Sequence, residues 1–150
     1  MTTMTIADAL DCVLGDEHRR GYLAVAFGYG GHWNETGRFD HPEWIERRYA
    51  WPDNRDALVS DVGRELIAGR VDVYLCPAIR DTDDRRRKGS ALPPLLLWAD
   101  LDGDPADTAV WDTLEAATVA SGSAGHRHAY VPLSRPVDLG THARLNKALA

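Results

Sequence analysis

The chain reads as an α+β protein, and three stretches carry that expectation. Residues 57–68 repeat apolar side chains at helical spacing, residues 71–76 alternate with β-branched and aromatic content, and residues 95–102 form an apolar run that turns acidic at its end. With 150 residues, 44% of them hydrophobic, and five tryptophans, the chain can bury the core of one domain.

The elements follow in order. A first helix is expected over Ile6–Leu14, then a polar turn at residues 15–20 and a strand over residues 22–27. Residues 28–34 are glycine-rich but lack the GxGxxG spacing that phosphate binding needs, so they read as a loop. Trp33, Trp44, Tyr49 and Trp51 are interleaved with Arg38, Arg47 and Arg48, a composition found where bases stack on rings. Packing between elements is the favoured reading of these aromatics. Asp53 and Asn54 can cap the helix over 57–68, Leu58, Val62, Leu66 and Ile67 form its apolar stripe, and Gly69 ends it. Pro77 closes the strand over 71–76. A basic loop comes next, with Arg80 and then Arg85, Arg86, Arg87 and Lys88, its field partly offset by Asp81, Asp83 and Asp84.

Composition excludes several classes. The net charge of -6 argues against a protein that coats nucleic acid through global basicity. Cys12 and Cys76 are too few and too far apart for a disulfide framework or a zinc site, and both read as buried thiols. No run approaches a membrane span and the N-terminus lacks a signal-peptide layout, so a cytoplasmic protein without a membrane partner is expected.

The strand over 95–102 carries the first chemistry. Side chains alternate along a strand, so Asp100 and Asp102 share a face with Cα atoms roughly 7 Å apart. Carboxylates leaning together to about 5 Å would repel by about 3 kcal/mol at an effective dielectric of about 20, and a divalent ion removes that cost. Magnesium is commonly held by one or two carboxylates, with waters and phosphate oxygens completing its shell. An EF-hand loop starting at Asp100 would need Gly and Glu where Pro105 and Trp111 stand. Two readings stay open on this motif alone: an acidic turn closing a buried strand, and the D-x-D-G nucleophile strand of haloacid-dehalogenase-like phosphatases. Asp104-Pro105 suits an N-cap and first turn, so a helix should follow to about residue 116.

The second constellation is a strand, a small-residue turn and another strand over residues 118–133. Ala129, Val131 and Leu133 should face a core, and His126, His128 and Tyr130 the opposite side. Ser121, Gly122, Ser123 and Gly125 leave backbone N–H groups and hydroxyls free to approach an anion, which a neighbouring imidazole can also bond. A tight turn with half-exposed histidines is the plainer alternative. The HxH pattern of barrel hydrolases is set aside, since that fold needs about 250 residues.

Together the two constellations resemble the archaeo-eukaryotic primase superfamily, specifically the bifunctional primase-polymerase domains of plasmids, phages and actinobacterial elements. The segment from Trp98 to Gly103 is similar to its h-D-h-D/E metal motif, and the segment from Ser121 to Tyr130 to its S-G-x-x-G-x-x-H-x-Y motif. Weaker similarity extends back through Asp72–Pro77, Arg86–Gly89 and the aromatic stretch ending at Asp53. The resemblance implies a mixed or antiparallel sheet carrying both motifs, with helices packed on it and an N-terminal αβ portion over about residues 1–90. It also implies Mg2+ or Mn2+ held by Asp100 and Asp102. His128, Ser121, Gly122, Ser123, Gly125, Tyr130, Arg87 and Lys88 would bind the nucleoside triphosphate. Asp100, Asp102 and His128 would serve template-directed primer synthesis on single-stranded DNA, with a helicase as a further expected partner.

The family uses a third carboxylate on a later strand. Here the only acid after His128 is Asp138, placed where a capping or turn role is expected before a last helix over about residues 142–149, with Leu145 and Leu149 on one face. The pattern therefore reads as incomplete at the C-terminus. A fragment, a split enzyme whose partner polypeptide or downstream segment supplies the acid, and a reduced relative are the expected explanations.

Overall fold

The computed structural model describes residues 5–14, 17–69, 71–84, 88–101, 105–120 and 126–149. The order of elements is α1 (Ile6–Leu14), β1 (Gly21–Tyr29), β2 (His32–Trp33), β3 (Phe39–Asp40), β4 (Glu43–Trp51), α2 (Arg55–Ala68), β5 (Val71–Leu75), β6 (Leu96–Leu101), α3 (Pro105–Thr113), β7 (Ala117–Ala120), β8 (Arg127–Pro132) and α4 (Leu139–Leu149). The chain is α+β with antiparallel pairing throughout its described sheets. No helix among the described residues is long and apolar enough to cross a membrane.

Two compact units divide the chain, residues 18–90 and residues 1–17 with 91–150. The first helix thus belongs with the C-terminal elements rather than with an N-terminal αβ portion, because α1 packs on β7 and β8.

In the first unit β1 is the central strand of the order β4-β1-β5. Its residues Leu23 through Gly28 are all buried, so this strand is a continuous apolar run rather than an alternating one. It also runs further than the sequence suggests, taking in Gly28 and Tyr29 from the expected loop. Glycine is a poor strand residue, yet Gly28 is needed here. A Cβ on it would meet the ring of His41 at 2.5 Å, so the absent side chain admits the imidazole. Strand β2 takes His32 and Trp33 from the same stretch and pairs them with β3.

Helix α2 lies against β4 and β5. Leu58 and Val62 are buried, whereas Leu66 is 47% and Ile67 89% exposed, which narrows the expected stripe. At about 100° per residue, Ile67 stands about 180° around the helix from Leu58. Asn54 occupies the cap position without a side-chain capping bond, and Gly69 closes the helix at φ 75°. Polar groups fasten α2 to the sheet. The Tyr49 hydroxyl donates to Asp61 Oδ2 at 2.8 Å, and Arg47 Nη2 donates to Glu65 Oε1 at 2.9 Å. The Arg47 guanidinium also lies 4.7 Å from the centre of the Phe27 ring. Tyr49 and Trp51 are buried and Arg48 pairs with Glu46 at 2.7 Å, so packing accounts for these members of the aromatic and arginine segment. Trp33 and Trp44 remain exposed.

The second unit is a sheet of order β6-β8-β7. Its core gathers Leu97 and Leu101 of β6, Trp111 of α3 and Ala129 of β8, with Val131, Leu133 and Leu149 packed on them. The Trp111 ring is fully buried and its Nε1–H donates to the Leu149 carbonyl at 3.0 Å, which ties α3 to the end of α4. Cys12 is exposed on α1, against the expectation of a buried thiol, and Cys76 is half-buried. Trp111→Ala is expected to cost about 3–5 kcal/mol through cavity formation, and Ile67→Ala less than about 0.5 kcal/mol. Urea denaturation of the two variants checks both the core assignment and the narrowed stripe.

Candidate functional site

Strand β6 sorts its side chains by alternation. Leu97, Ala99 and Leu101 point into the core, which sends Leu96, Trp98 and Asp100 to the other face. Strand β8 does the same with Ala129 and Val131 inward, leaving His128 and Tyr130 outward. Pairing then sets Asp100 directly opposite His128 and Trp98 opposite Tyr130. Asp100 Oδ1 lies 3.5 Å from His128 Nε2, with the two side chains 70% and 43% exposed. At that exposure the pair contributes at most about 1 kcal/mol to stability, so its geometry costs the fold little and gains it little.

Tyr130 shares the face of His128, as its position in the strand predicts. It is buried, flanked in the sheet by Trp98 and Ala117, because a central strand has neighbours on both sides. Its hydroxyl stands 3.5 Å from His128 Nδ1. Burial first, and then the charge of Asp100, push the phenol up to about 12. A phenol hydroxyl donating to Nδ1 corresponds to the tautomer with its proton on Nε2, the nitrogen that faces Asp100.

The outer edge of β6 is covered by α4. His142 Nε2–H donates to the Leu96 carbonyl at 3.0 Å, and the Trp98 N–H donates to Asn146 Oδ1 at 3.2 Å. The His142 ring also packs on Trp98 with centroids 4.5 Å apart. Sequence reasoning missed this pair. His142 and Asn146 stand one helical turn apart, which places two polar groups on one face of α4. Leu145, expected on that helix's apolar face, is 38% exposed. Asp138 starts α4 as expected of a capping residue, accepting from the Thr141 N–H at 2.9 Å and the Thr141 hydroxyl at 2.6 Å. Those bonds, the hydroxyl's foremost, hold its carboxyl below the usual range.

Of the expected site residues, Asp100, His128 and Tyr130 are thus brought together. Asp102, Ser121, Gly122, Ser123, Gly125 and Arg87 lie outside the described residues, and Lys88 opens a short 3-10 turn, Lys88–Ser90, in the first unit. His126 is half-buried just ahead of β8. Among the described residues no three His, Cys, Asp or Glu side chains converge as a ready-made metal cage. The chain matches no protein-family profile, no characterised protein and no solved structure.

Two phenols make an alkaline test of this packing. Tyr49 is also pushed up to about 12, by burial and then by Asp61. Free tyrosine side chains in the unfolded chain ionise near 10, so the stability these groups contribute is full below pH of about 10 and is lost as pH rises to about 12. Tyr130→Phe and Tyr49→Phe are each expected to flatten that alkaline loss, measured by thermal melts from pH 8 to 12. An unchanged profile in both variants would contradict the burial of these hydroxyls.

Proposed function

We propose that the unit containing β6 and β8 binds a nucleoside triphosphate with Mg2+ or Mn2+ and acts in nucleotidyl transfer, as a primase-polymerase-like domain. The observation that supports this reading is the register of β6 against β8, which puts Asp100 of one motif opposite His128 of the other. The apolar residues of the two strands set that register, and it leaves the polar residues of both motifs side by side on the opposite face of the sheet.

The donors fit a cation of a particular kind. Asp100 is largely exposed, so a hydrated ion can reach it, and Asp102 is the expected second carboxylate. One or two carboxylates suit a magnesium ion that keeps several waters and takes phosphate oxygens, arriving with the nucleotide. When bound, such an ion neutralises phosphate charge and polarises the α-phosphorus toward attack by a 3′-hydroxyl, with pyrophosphate as the leaving group.

The chain's own groups do the rest. His128 presents Nε2–H to a phosphate oxygen, and the Tyr130 hydroxyl at Nδ1 keeps the proton on that side. The turn from Ser121 to Gly125 supplies backbone N–H groups by its resemblance to the family motif. A single-stranded DNA template and a helicase are the proposed partners. Asp138 is engaged in capping α4, so it is not the third carboxylate of the family pattern.

Calorimetric titration of residues 1–150 with a non-hydrolysable nucleoside triphosphate and Mn2+ tests the reading. Asp100→Ala and His128→Ala are each expected to weaken binding about tenfold, a loss of about 1.4 kcal/mol. Equal binding by both variants would remove the site. Primer synthesis by this chain is expected to be weak, and robust Mn2+-dependent dinucleotide synthesis lost in Asp100→Ala would show that the pair of carboxylates suffices. Phosphate release from a simple phosphate monoester, lost in Asp100→Ala, would instead make Asp100 the nucleophile of a haloacid-dehalogenase-like phosphatase.

A further inference from the structure

The first unit carries a row of aromatic rings that its core does not use. Trp33 meets Phe39 with ring centres 5.3 Å apart, Phe39 meets His41 at 5.1 Å, and His41 meets both Trp44 and Tyr74 at 5.7 Å. Trp44 and Tyr74 close the row at 5.1 Å. The hub is His41, whose side chain is 7% exposed and whose Nε2 lies 2.8 Å from Asp72 Oδ2. Around this hub Trp33 is 71% exposed, Trp44 48%, Tyr74 40% and Phe39 39%. Four exposed rings, each held by its neighbour and tied to a bonded imidazole over Gly28, form a face whose side-chain entropy is already spent. A contiguous exposed aromatic row of this kind marks an interaction site.

The charges on the same elements select the partner. Glu35 and Asp40 belong to the hairpin, Glu43 precedes Trp44, and Asp72 is 47% exposed beside His41, against Arg38. Arg48, on the strand face of Trp44, is paired with Glu46. A phosphate backbone stacked on these rings would meet carboxylates, whereas a guanidinium would gain both a ring face and a carboxylate. A depression of about 530 Å³ lined by Gly30, Gly31, Phe39, Val71 and Asp72 offers that combination. Asp72 lines the depression while its Oδ2 bonds the His41 imidazole.

We propose that this aromatic and acidic row is a docking surface for an arginine-bearing segment of a partner protein, with one arginine seated over Phe39 against Asp72 and the next basic side chain on the Trp44–Tyr74 pair. The inference is independent of the Asp100 site.

Fluorescence anisotropy of the full chain tests it with labelled peptides of alternating Arg and Gly, the same peptide with Glu in place of Arg, and an oligo(dT) of similar length. The Arg peptide is expected to bind, to weaken with salt, and to lose about three- to tenfold in affinity in Trp44→Ala, Trp33→Ala and Asp72→Asn, with circular dichroism unchanged. Glu35→Gln, in the exposed turn between β2 and β3, serves as the carboxylate variant that leaves the aromatic packing intact. Nucleotide binding should persist in Trp44→Ala, which separates this surface from the Asp100 site. Binding of oligo(dT) in preference to the Arg peptide with the same Trp44 dependence would overturn the proposal, as would Arg-peptide binding indifferent to Trp44, Trp33 and Asp72. Self-association abolished by Trp44→Ala, without peptide binding, would assign the face to a second copy and also overturn it.

Discussion

The pairing of β6 with β8 is the constraint on which the second unit depends. Strand side chains have a period of two, so a slip of one residue would move every inward side chain outward. Leu97 and Leu101 on one strand and Ala129 and Val131 on the other all pack toward Trp111, and a slip would bury Asp100 and His128 in their place. Burying a carboxylate without a strong partner costs several kcal/mol, far more than the exposed Asp100–His128 pair returns. The hydrophobic side of the sheet therefore sets the polar side. The proposed site sits where it does because of leucines and alanines, not because its own charges attract.

The last helix extends that constraint to the edge of the sheet. A sheet edge leaves unpaired N–H and C=O groups that invite another strand. On β6 two of these groups are answered by His142 and Asn146, and the Trp98 ring is held against the same helix. Because Asp138 fixes where α4 begins, a capping residue controls the registration of the helix along the strand. Trp98 and Asp100 share a face, so the packing that steadies the tryptophan also steadies the backbone that carries the carboxylate.

What the sequence made legible follows from period. The apolar run at residues 95–102 and the alternation at residues 127–132 identified both strands and, in the second, the inward Ala129 and Val131, and Gly69 marked the end of α2 correctly. Where tertiary contacts override local pattern the reading failed. Gly28 looked like loop because its reason for being glycine is a histidine thirteen positions later in the chain. Ile67 looked like core because it follows Leu66, although helical rotation turns it to the outside. The burial of Tyr130 was not legible, because alternation gives the face of a residue but not whether flanking strands cover that face. The role of His142 had no local signal, since its partner is a backbone carbonyl 46 positions earlier.

The arginines settle how the two units divide their chemistry. A chain of net charge -6 can hold a polyanion only through local cations that are not already neutralised. In the first unit Arg47 is spent on Glu65 and Asp61, and Arg48 on Glu46, each an ion pair that fastens one element to another or quiets the strand face. What those pairs leave beside the exposed rings is Glu35, Asp40, Glu43 and Asp72 against Arg38. The aromatic segment that most resembles a base-stacking surface in sequence is therefore poorly suited to phosphate, because its cations stabilise the fold. A nucleic-acid template, on the reading proposed for Asp100 and His128, has to find its positive charge elsewhere in the chain or on another polypeptide.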